Sequence, residues 1–412
     1  MQKTVSIPSA RDAAGPDGGG SVIPVKALVE RSADLKAELL AFARGRRYMR
    51  RLDAAIAEVC DEYGFADEND VIAAMDRFLL QRLMADGRAL PEIFVAQRSP
   101  ALPPVEHDMV LGWRDVVEST FEITSVQTDE CAVMLHNLVD DLVYRVYSNA
   151  GRGVVASLRR GMFLACRIVP VHPAADAWLF SGSMVKFRKS DGPRVARALL
   201  PLLAGSPLMM RRNPDLLRQA WHQQVQERAD FIEVFGSDMV ILPPPQAAQK
   251  LTEFRRHRQE KILAALDPKT AARVGRNAPT PEQLSELTDG LLDAESIGLI
   301  YDEEEGLNYF ADLGRLDSLY ADPRLMRDRG YRSHLRSYLN DDSVSPLAFR
   351  RLAQRHPEGV DAVFRALLGK PGFSWERDGE TLLRRRKKDF YDREPMPSIT
   401  IVPERLAALA RA

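Results

Sequence analysis

Cysteine is scarce: Cys60, Cys131 and Cys166 are the only three in 412 residues. None belongs to a C-x-x-C pair, which excludes a disulfide framework and a cysteine-rich zinc centre of ordinary spacing. Free thiols suit a reducing compartment, and Cys60, which follows Leu52, Ile56 and Val59 at helical spacing, is expected in a core. Long apolar runs are missing too. No stretch approaches the roughly 20 residues that span a bilayer, and Lys3 and Arg11 are not followed by a hydrophobic segment. Neither a membrane span nor a secretory signal is expected, and the cytoplasm is the expected location. An excess of one charge is also lacking: 57 Lys and Arg stand against 58 Asp and Glu, a net charge of −1. The weak overall field removes the signature of a strongly basic nucleic-acid binder, though not of a local basic patch.

The short motifs that announce chemistry are absent as well. The seven histidines are scattered, with no H-x-x-x-H or H-E-x-x-H pair. There is no G-x-S-x-G elbow, no G-x-x-x-x-G-K-[ST] loop and no G-x-G-x-x-G fingerprint. Gly151-Arg152-Gly153 follows a strand pattern without a clear helix behind it, and Ser181-Gly182-Ser183 is too generic to count. No cofactor and no metal are expected.

What is present is an ordinary folded chain, 45% hydrophobic and 28% charged, long enough for two or three domains. Residues 1–23 are small, polar and Gly-rich and read as a disordered tail. Residues 24–100 read as an N-terminal helical domain. Leu35, Leu39 and Phe42 form one stripe, Leu52, Ile56, Val59, Cys60 and Tyr63 a second, and Val71, Met75, Phe78 and Leu79 a third, all at a 3.6-residue period. Gly64 can stop the second helix, and Asn69 or Asp70 can cap the third. Pro91, Pro100, Pro103 and Pro104 read as a linker.

Between 108 and 190 the period changes. Phe121–Thr124 and Tyr144–Tyr147 alternate, Cys131–Leu135 and Met162–Val169 are short apolar runs, and Trp178–Phe180 leads to Met184–Phe187 across Gly182. Five strands in so short a stretch predict a small antiparallel barrel-like domain, since closure removes the exposed edges. From Pro193 the pattern reads as helix again, as a helical segment over 191–275 and a C-terminal helical domain over 276–412. Its starts are Asn213-Pro214, Thr280-Pro281-Glu282-Gln283, Asp322-Pro323, Ser345-Pro346 and His356-Pro357. Leu217, Trp221, Val225, Ile232 and Phe235 are expected on the buried face of the helix that Asn213 starts. The fold class is therefore α+β, mostly helical, with a central five-stranded β domain.

The order Phe121-Glu122-Ile123, Asn137-Leu138-Val139-Asp140-Asp141, Tyr144-Arg145-Val146, Gly161 to Pro170 and Trp178-Leu179-Phe180-Ser181-Gly182 resembles a β-rich segment of uncharacterised bacterial proteins, some of which carry a C-terminal SEC-C zinc motif. The likeness covers residues 113–187. It implies a fold unit without an attached activity. The Cys/His cluster of the zinc motif is absent here, so no zinc site is carried over.

Three candidate sites remain. His136 lies in a strand pattern close to Asp140 and Asp141, where an acid/base or metal cluster can form. The competing reading is a strand histidine beside a turn whose aspartates bond the backbone. Asp302-Glu303-Glu304-Glu305 can attract a cation, although consecutive side chains diverge and a solvated turn suits them better. The most suggestive feature is three basic clusters: Arg44, Arg46, Arg47, Arg50 and Arg51; Arg255, Arg256, Arg258 and Lys261; and Arg384, Arg385, Arg386, Lys387 and Lys388. Tyr48, Phe254, Phe390 and Tyr391 stand beside them. Guanidinium forks suit phosphates and aromatic rings stack on bases, against the alternative of ordinary solvated helix faces. A helix-turn-helix over 48–83 is rejected, because its second helix would present the apolar and acidic run Asp70–Asp76 to DNA. The expected function is a non-catalytic binding or scaffold protein of the bacterial cytoplasm with a protein partner. The alternatives are a nucleic-acid-associated protein using the arginine clusters, or an enzyme built around His136, Asp140 and Asp141.

Overall fold

The structure, a computed structural model, describes residues 23–63, 67–204, 206–264 and 279–412. The expected tail lies outside the described residues except for Ile23, as do Gly64 and the side chain of Cys60. The protein is α+β, and the chain forms two compact units, residues 1–200 with 403–412, and residues 201–402.

In the first unit the three expected helices are α1 (Val25–Ala43), α2 (Met49–Tyr63) and α3 (Glu68–Leu80). Leu35 and Leu39 are fully buried, as their spacing requires. The third helix is capped earlier than expected: the Asp67 carboxylate accepts from the Asp70 N–H, and the Asp70 carboxylate accepts from the Asp67 N–H. The expected linker is largely helical. Pro91 sits in the first turn of α4 (Leu90–Gln97) and Pro104 opens α5 (Pro104–Gly112), positions where the missing N–H costs nothing. These helices share one core around Phe78, Ile93, Met109 and Trp113.

The five expected strands are β1 (Val117–Gln127), β2 (Ala132–Asn137), β3 (Val143–Tyr147), β4 (Phe163–Pro170) and β5 (Trp178–Phe187), with α6 (Arg152–Ala156) between β3 and β4. The pairings run β1-β2-β3-β5-β4 and return from β4 to β1. Long β1 serves two partners, β4 along its first half and β2 along its second, with an irregularity between Ile123 and Ser125. Alternate residues Phe121, Ile123, Val133, Leu135, Tyr144, Val146, Leu164 and Ile168 fill the interior. The expectation of a purely antiparallel sheet is corrected: β3 and β5 run parallel through Val146–Trp178 and Tyr147–Leu179, so the sheet is mixed. The helix and strand inserted between β3 and β5 turn the chain around before it returns. Gly192–Ala204 forms α7.

The second unit starts with α8 (Pro214–Phe235), where the Asn213 side chain accepts from the N–H groups of Asp215 and Leu216 as its cap. Its buried face is not the expected one. Leu216, Ala220, Gln224, Glu227 and Phe231 point inward, and Val225 is exposed. Two polar residues on that face defeat a purely apolar stripe. The all-helical expectation from Pro193 onward also needs correction. A sheet of order β6-β7-β8 is made by Met239–Leu242 (β6), Ile297–Asp302 (β7) and Gly306–Ala311 (β8). The short apolar runs at 239–242 and 297–301 look alike for a buried strand and for one helix turn.

The other helices are α9 (Pro244–Ala264), α10 (Pro281–Leu284), α11 (Asp289–Leu292), α12 (Leu313–Ala321), α13 (Arg329–Asn340), α14 (Leu347–Arg355), α15 (Pro357–Leu368), α16 (Glu380–Arg386), α17 (Lys388–Asp392) and α18 (Glu404–Arg411). Most expected start signals hold, including the Thr280–Gln283 capping box. At Asp322-Pro323 the turn is a 3-10 helix. The last helix belongs to the first unit, where Arg405 bonds Glu122 on β1.

Candidate functional site

The three basic clusters meet three different fates. In the second, Arg255, Arg258 and Lys261 on α9 reach Glu227, Asp230 and Glu233 on α8, at 3.1, 3.1 and 2.7 Å. The sequence offset is 28 each time, so two helices lying side by side in the same direction are stitched together. Arg256 takes Glu282 at 3.2 Å. Asp230, Glu233 and His257 bring ligand atoms within 4.8 Å of one another, but the Lys261 ammonium bonds both carboxylates at 2.7 Å and already supplies the positive charge there. This cluster serves the fold.

In the third, Lys387 is 1% exposed, and its ammonium donates to the carbonyls of Tyr338 and Asp341, finishing the C-terminus of α13. Burial pushes its pKa down. Arg386 bonds the Asn340 side chain at 3.2 Å, and Lys388 stands 3.8 Å from Asp392. Arg385 is exposed. Arg384 lies over the Tyr391 ring, 4.6 Å from its centre, and lines a cleft of about 500 Å³ with Glu305, Arg350, Glu380, Tyr391 and Arg393.

The first cluster is the unneutralised one. Arg44, Arg46, Arg47, Arg50 and Arg51 crowd the turn from α1 to α2, and all five are exposed. Among the described residues no carboxylate lies within ion-pair distance of any of them. Arg47 rests 5.3 Å from the centre of the Tyr48 ring, and Arg51 touches the Met84 sulfur at 3.6 Å. The turn is held from below: Tyr48 is 3% exposed and packs on Phe42, with ring centres 5.3 Å apart, while its N–H bonds the Gly45 carbonyl at 3.0 Å. A buried aromatic anchor thus fixes a loop whose charged side chains all leave toward solvent. The expectation that aromatic neighbours stack on bases fails for Tyr48 and Phe254, which are buried; Phe390 and Tyr391 are half-buried.

His136 and Asp141 form a pair, Nε2 to Oδ1 at 2.8 Å. Asp140 is 1% exposed, and its carboxylate accepts from the Tyr144 hydroxyl at 2.6 Å and the Leu142 N–H at 3.0 Å. These bonds close the β2–β3 turn, and the three residues line none of the clefts at Glu305, at His334 or at Glu58. In the acidic run, Asp302 accepts from the N–H groups of Glu304 and Glu305 and shapes the β7–β8 turn.

One polar constellation has no local sequence signal. Arg167 of β4 is 2% exposed and donates to Asp76 at 2.8 Å and Gln81 at 2.9 Å on and beside α3, and to Glu118 of β1. Asp76 also accepts from the Ser181 hydroxyl at 2.6 Å, and that hydroxyl accepts from Lys36. Burial lowers the Lys36 pKa, and Asp76 works against that shift. Arg77 of α3 also donates to Glu118, at 2.6 Å, so three cations share two carboxylates and fasten the helices to the sheet. Residues 36, 76, 118, 167 and 181 come from five elements, so spacing along the chain cannot reveal them.

The chain matches no family model, and neither a curated protein nor a solved structure is significantly similar to it.

Proposed function

We propose that this is a non-catalytic binding protein that docks on the phosphate backbone of nucleic acid through the α1–α2 turn. The observation that carries this reading is five exposed arginines within eight residues, without a carboxylate partner among the described residues, whereas the cluster on α9 is ion-paired throughout. Unpaired guanidiniums at one turn attract a polyanion even where the whole molecule is near neutral. The turn has little apolar surface to bury in the centre of a protein–protein interface, Met49 being its exposed large hydrophobic residue at 46%.

The five-stranded ring of pairings, which we take as a small barrel, is the kind of platform on which OB-type folds hold single strands. Two polar side chains of its outward face are already paired here, Arg145 with Glu130 and His136 with Asp141. Contact therefore falls on the turn and is made to phosphates without base stacking, so binding is independent of sequence.

The test is fluorescence anisotropy with a labelled 30-base-pair duplex and a single strand of the same length, at 25 to 200 mM KCl. With about five phosphates engaged, log Kd changes with log salt at a slope of roughly 4 to 5. The R44A/R46A/R47A/R50A variant loses at least tenfold in affinity at 50 mM salt. Absence of binding at 25 mM salt, or an affinity unchanged in the variant, refutes the reading.

A further inference from the structure

The cleft of about 500 Å³ in the second unit lies apart in sequence from the basic turn, and the function proposed above makes no use of it. Its volume falls in the range of small-molecule sites. Its wall carries two neighbouring rings, Phe390 and Tyr391, each covered by a guanidinium. Arg393 stands 4.7 Å from the centre of the Phe390 ring and Arg384 stands 4.6 Å from that of Tyr391. Stacking on a ring holds a guanidinium in one plane while leaving its N–H edge available.

The charge balance is uneven. Arg350 has its own counterion: it bonds Glu380 at 2.8 and 3.3 Å and the Tyr391 hydroxyl at 2.9 Å. Among the described residues Arg384 has only that same Glu380, at 3.9 Å, already engaged by Arg350. Arg393 has no carboxylate within ion-pair distance among the described residues. The carboxyl deepest in the cleft, Glu305, receives the Ser345 hydroxyl at 2.6 Å, and burial holds its pKa above the ordinary value. Glu304 and Glu394 also line the cleft but are exposed to solvent.

We infer that the cleft binds a small organic anion, whose carboxylate or phosphate group is gripped between Arg384 and Arg393 and whose body rests beside Phe390 and Tyr391. Two ring-held forks, one sharing its carboxylate with Arg350 and the other without one among the described residues, are an arrangement that can recognise a planar or tetrahedral oxyanion. The Tyr391 hydroxyl and the Glu305 carboxyl stand in the same cleft as polar partners for the remainder of the ligand.

Tartrate and inorganic pyrophosphate are the probes for the two anion types, titrated by calorimetry into the full chain at constant ionic strength. At least one binds saturably with a Kd below about 1 mM, and which one it is separates the carboxylate from the phosphate class. R384A/R393A weakens that binding at least tenfold. R385A, which removes an exposed arginine that does not line the cleft, leaves it within twofold. A thermal melt of each variant within a few degrees of the parent shows that the unit is still folded; should the double alanine variant melt early, R384Q/R393Q takes its place. No saturable binding of either probe up to 10 mM overturns the inference, and so does an equal loss in R385A, which would mean diffuse charge attraction.

Discussion

A guanidinium at 2% exposure, as at Arg167, survives because each of its three nitrogens has an acceptor. Arg167→Met removes the donors and leaves the Asp76 carboxylate, itself 7% exposed, without its closest cationic partner. The expected cost is about 3–5 kcal/mol, the range for breaking one side of a buried ion pair, read as a lower urea midpoint at unchanged slope. R167M with D76N should recover part of that loss, because the stranded charge is gone. A single-variant cost under about 1 kcal/mol would show that water or a neighbour replaces the guanidinium. Glu305 makes the opposite kind of statement. Burial raises its pKa and the Ser345 hydroxyl lowers it; Asp302 and Glu304 push it up further while Arg350 pulls it down. Its folded pKa lies above its unfolded one, so the folded chain holds the extra proton in the window between them, and stability falls as pH rises through that window. The cleft also gains a negative charge there. Tartrate should therefore bind more weakly as pH rises through that window, by about three- to tenfold, the size of one screened like-charge interaction, and E305Q should flatten the profile. A profile that is unchanged in E305Q would assign the pH effect to another group.

At the scale of elements, the close approach of α15 to α12 depends on Gly359. A Cβ built there would stand 1.8 Å from the Tyr320 carbonyl oxygen, a backbone atom that cannot swing away. Gly359→Ala must push the two helices apart, and a loss above about 3 kcal/mol is expected, in the range of severe overpacking. Gly372→Ala, where nothing lies within 4 Å, is the control and should stay within about 0.5 kcal/mol; equal effects at both sites would mean that the helix contact is looser than it looks. Caps and alternation made many elements legible in the sequence. Asn213 and Thr280 cap where their side-chain chemistry says, and the five strands from β1 to β5 fall on the alternating runs. Prolines at 91 and 104 misled, because a helix start and a linker carry the same residue. The strands β6 and β7 were hidden, since four or five apolar residues fit one helix turn equally well, and β8 is interrupted by Asn308. The parallel β3–β5 contact follows from the path of the chain, which no local pattern records. Among the arginines, sequence showed the clusters but could not show which of them would meet carboxylates: Glu227 and Asp230 answer Arg258 only because α8 lies against α9.

For the whole molecule the net charge of −1 conceals an uneven distribution, paired along α8 and α9, unpaired at the α1–α2 turn, and unevenly shared in the Arg384–Arg393 cleft, where four carboxylates and three guanidiniums meet but Arg393 has no ion-pair partner among the described residues. The turn and the cleft sit in different compact units, each with cores of its own around Trp113 and Phe121 in one and Tyr320 and Phe254 in the other. If the first takes a polyanion and the second a small anion, their variants should dissociate cleanly. R44A/R46A/R47A/R50A should lose the duplex and keep tartrate or pyrophosphate within twofold, whereas R384A/R393A should do the reverse. Duplex binding measured with the small anion saturating gives the coupling between the sites directly, and linkage requires the same factor when the order of addition is exchanged. A factor near one identifies two separate binding surfaces. A shift of fivefold or more, equal in both directions, identifies a protein whose grip on nucleic acid is set by a small-molecule signal. Loss of both activities in either variant would instead mean that one anion surface had been counted twice.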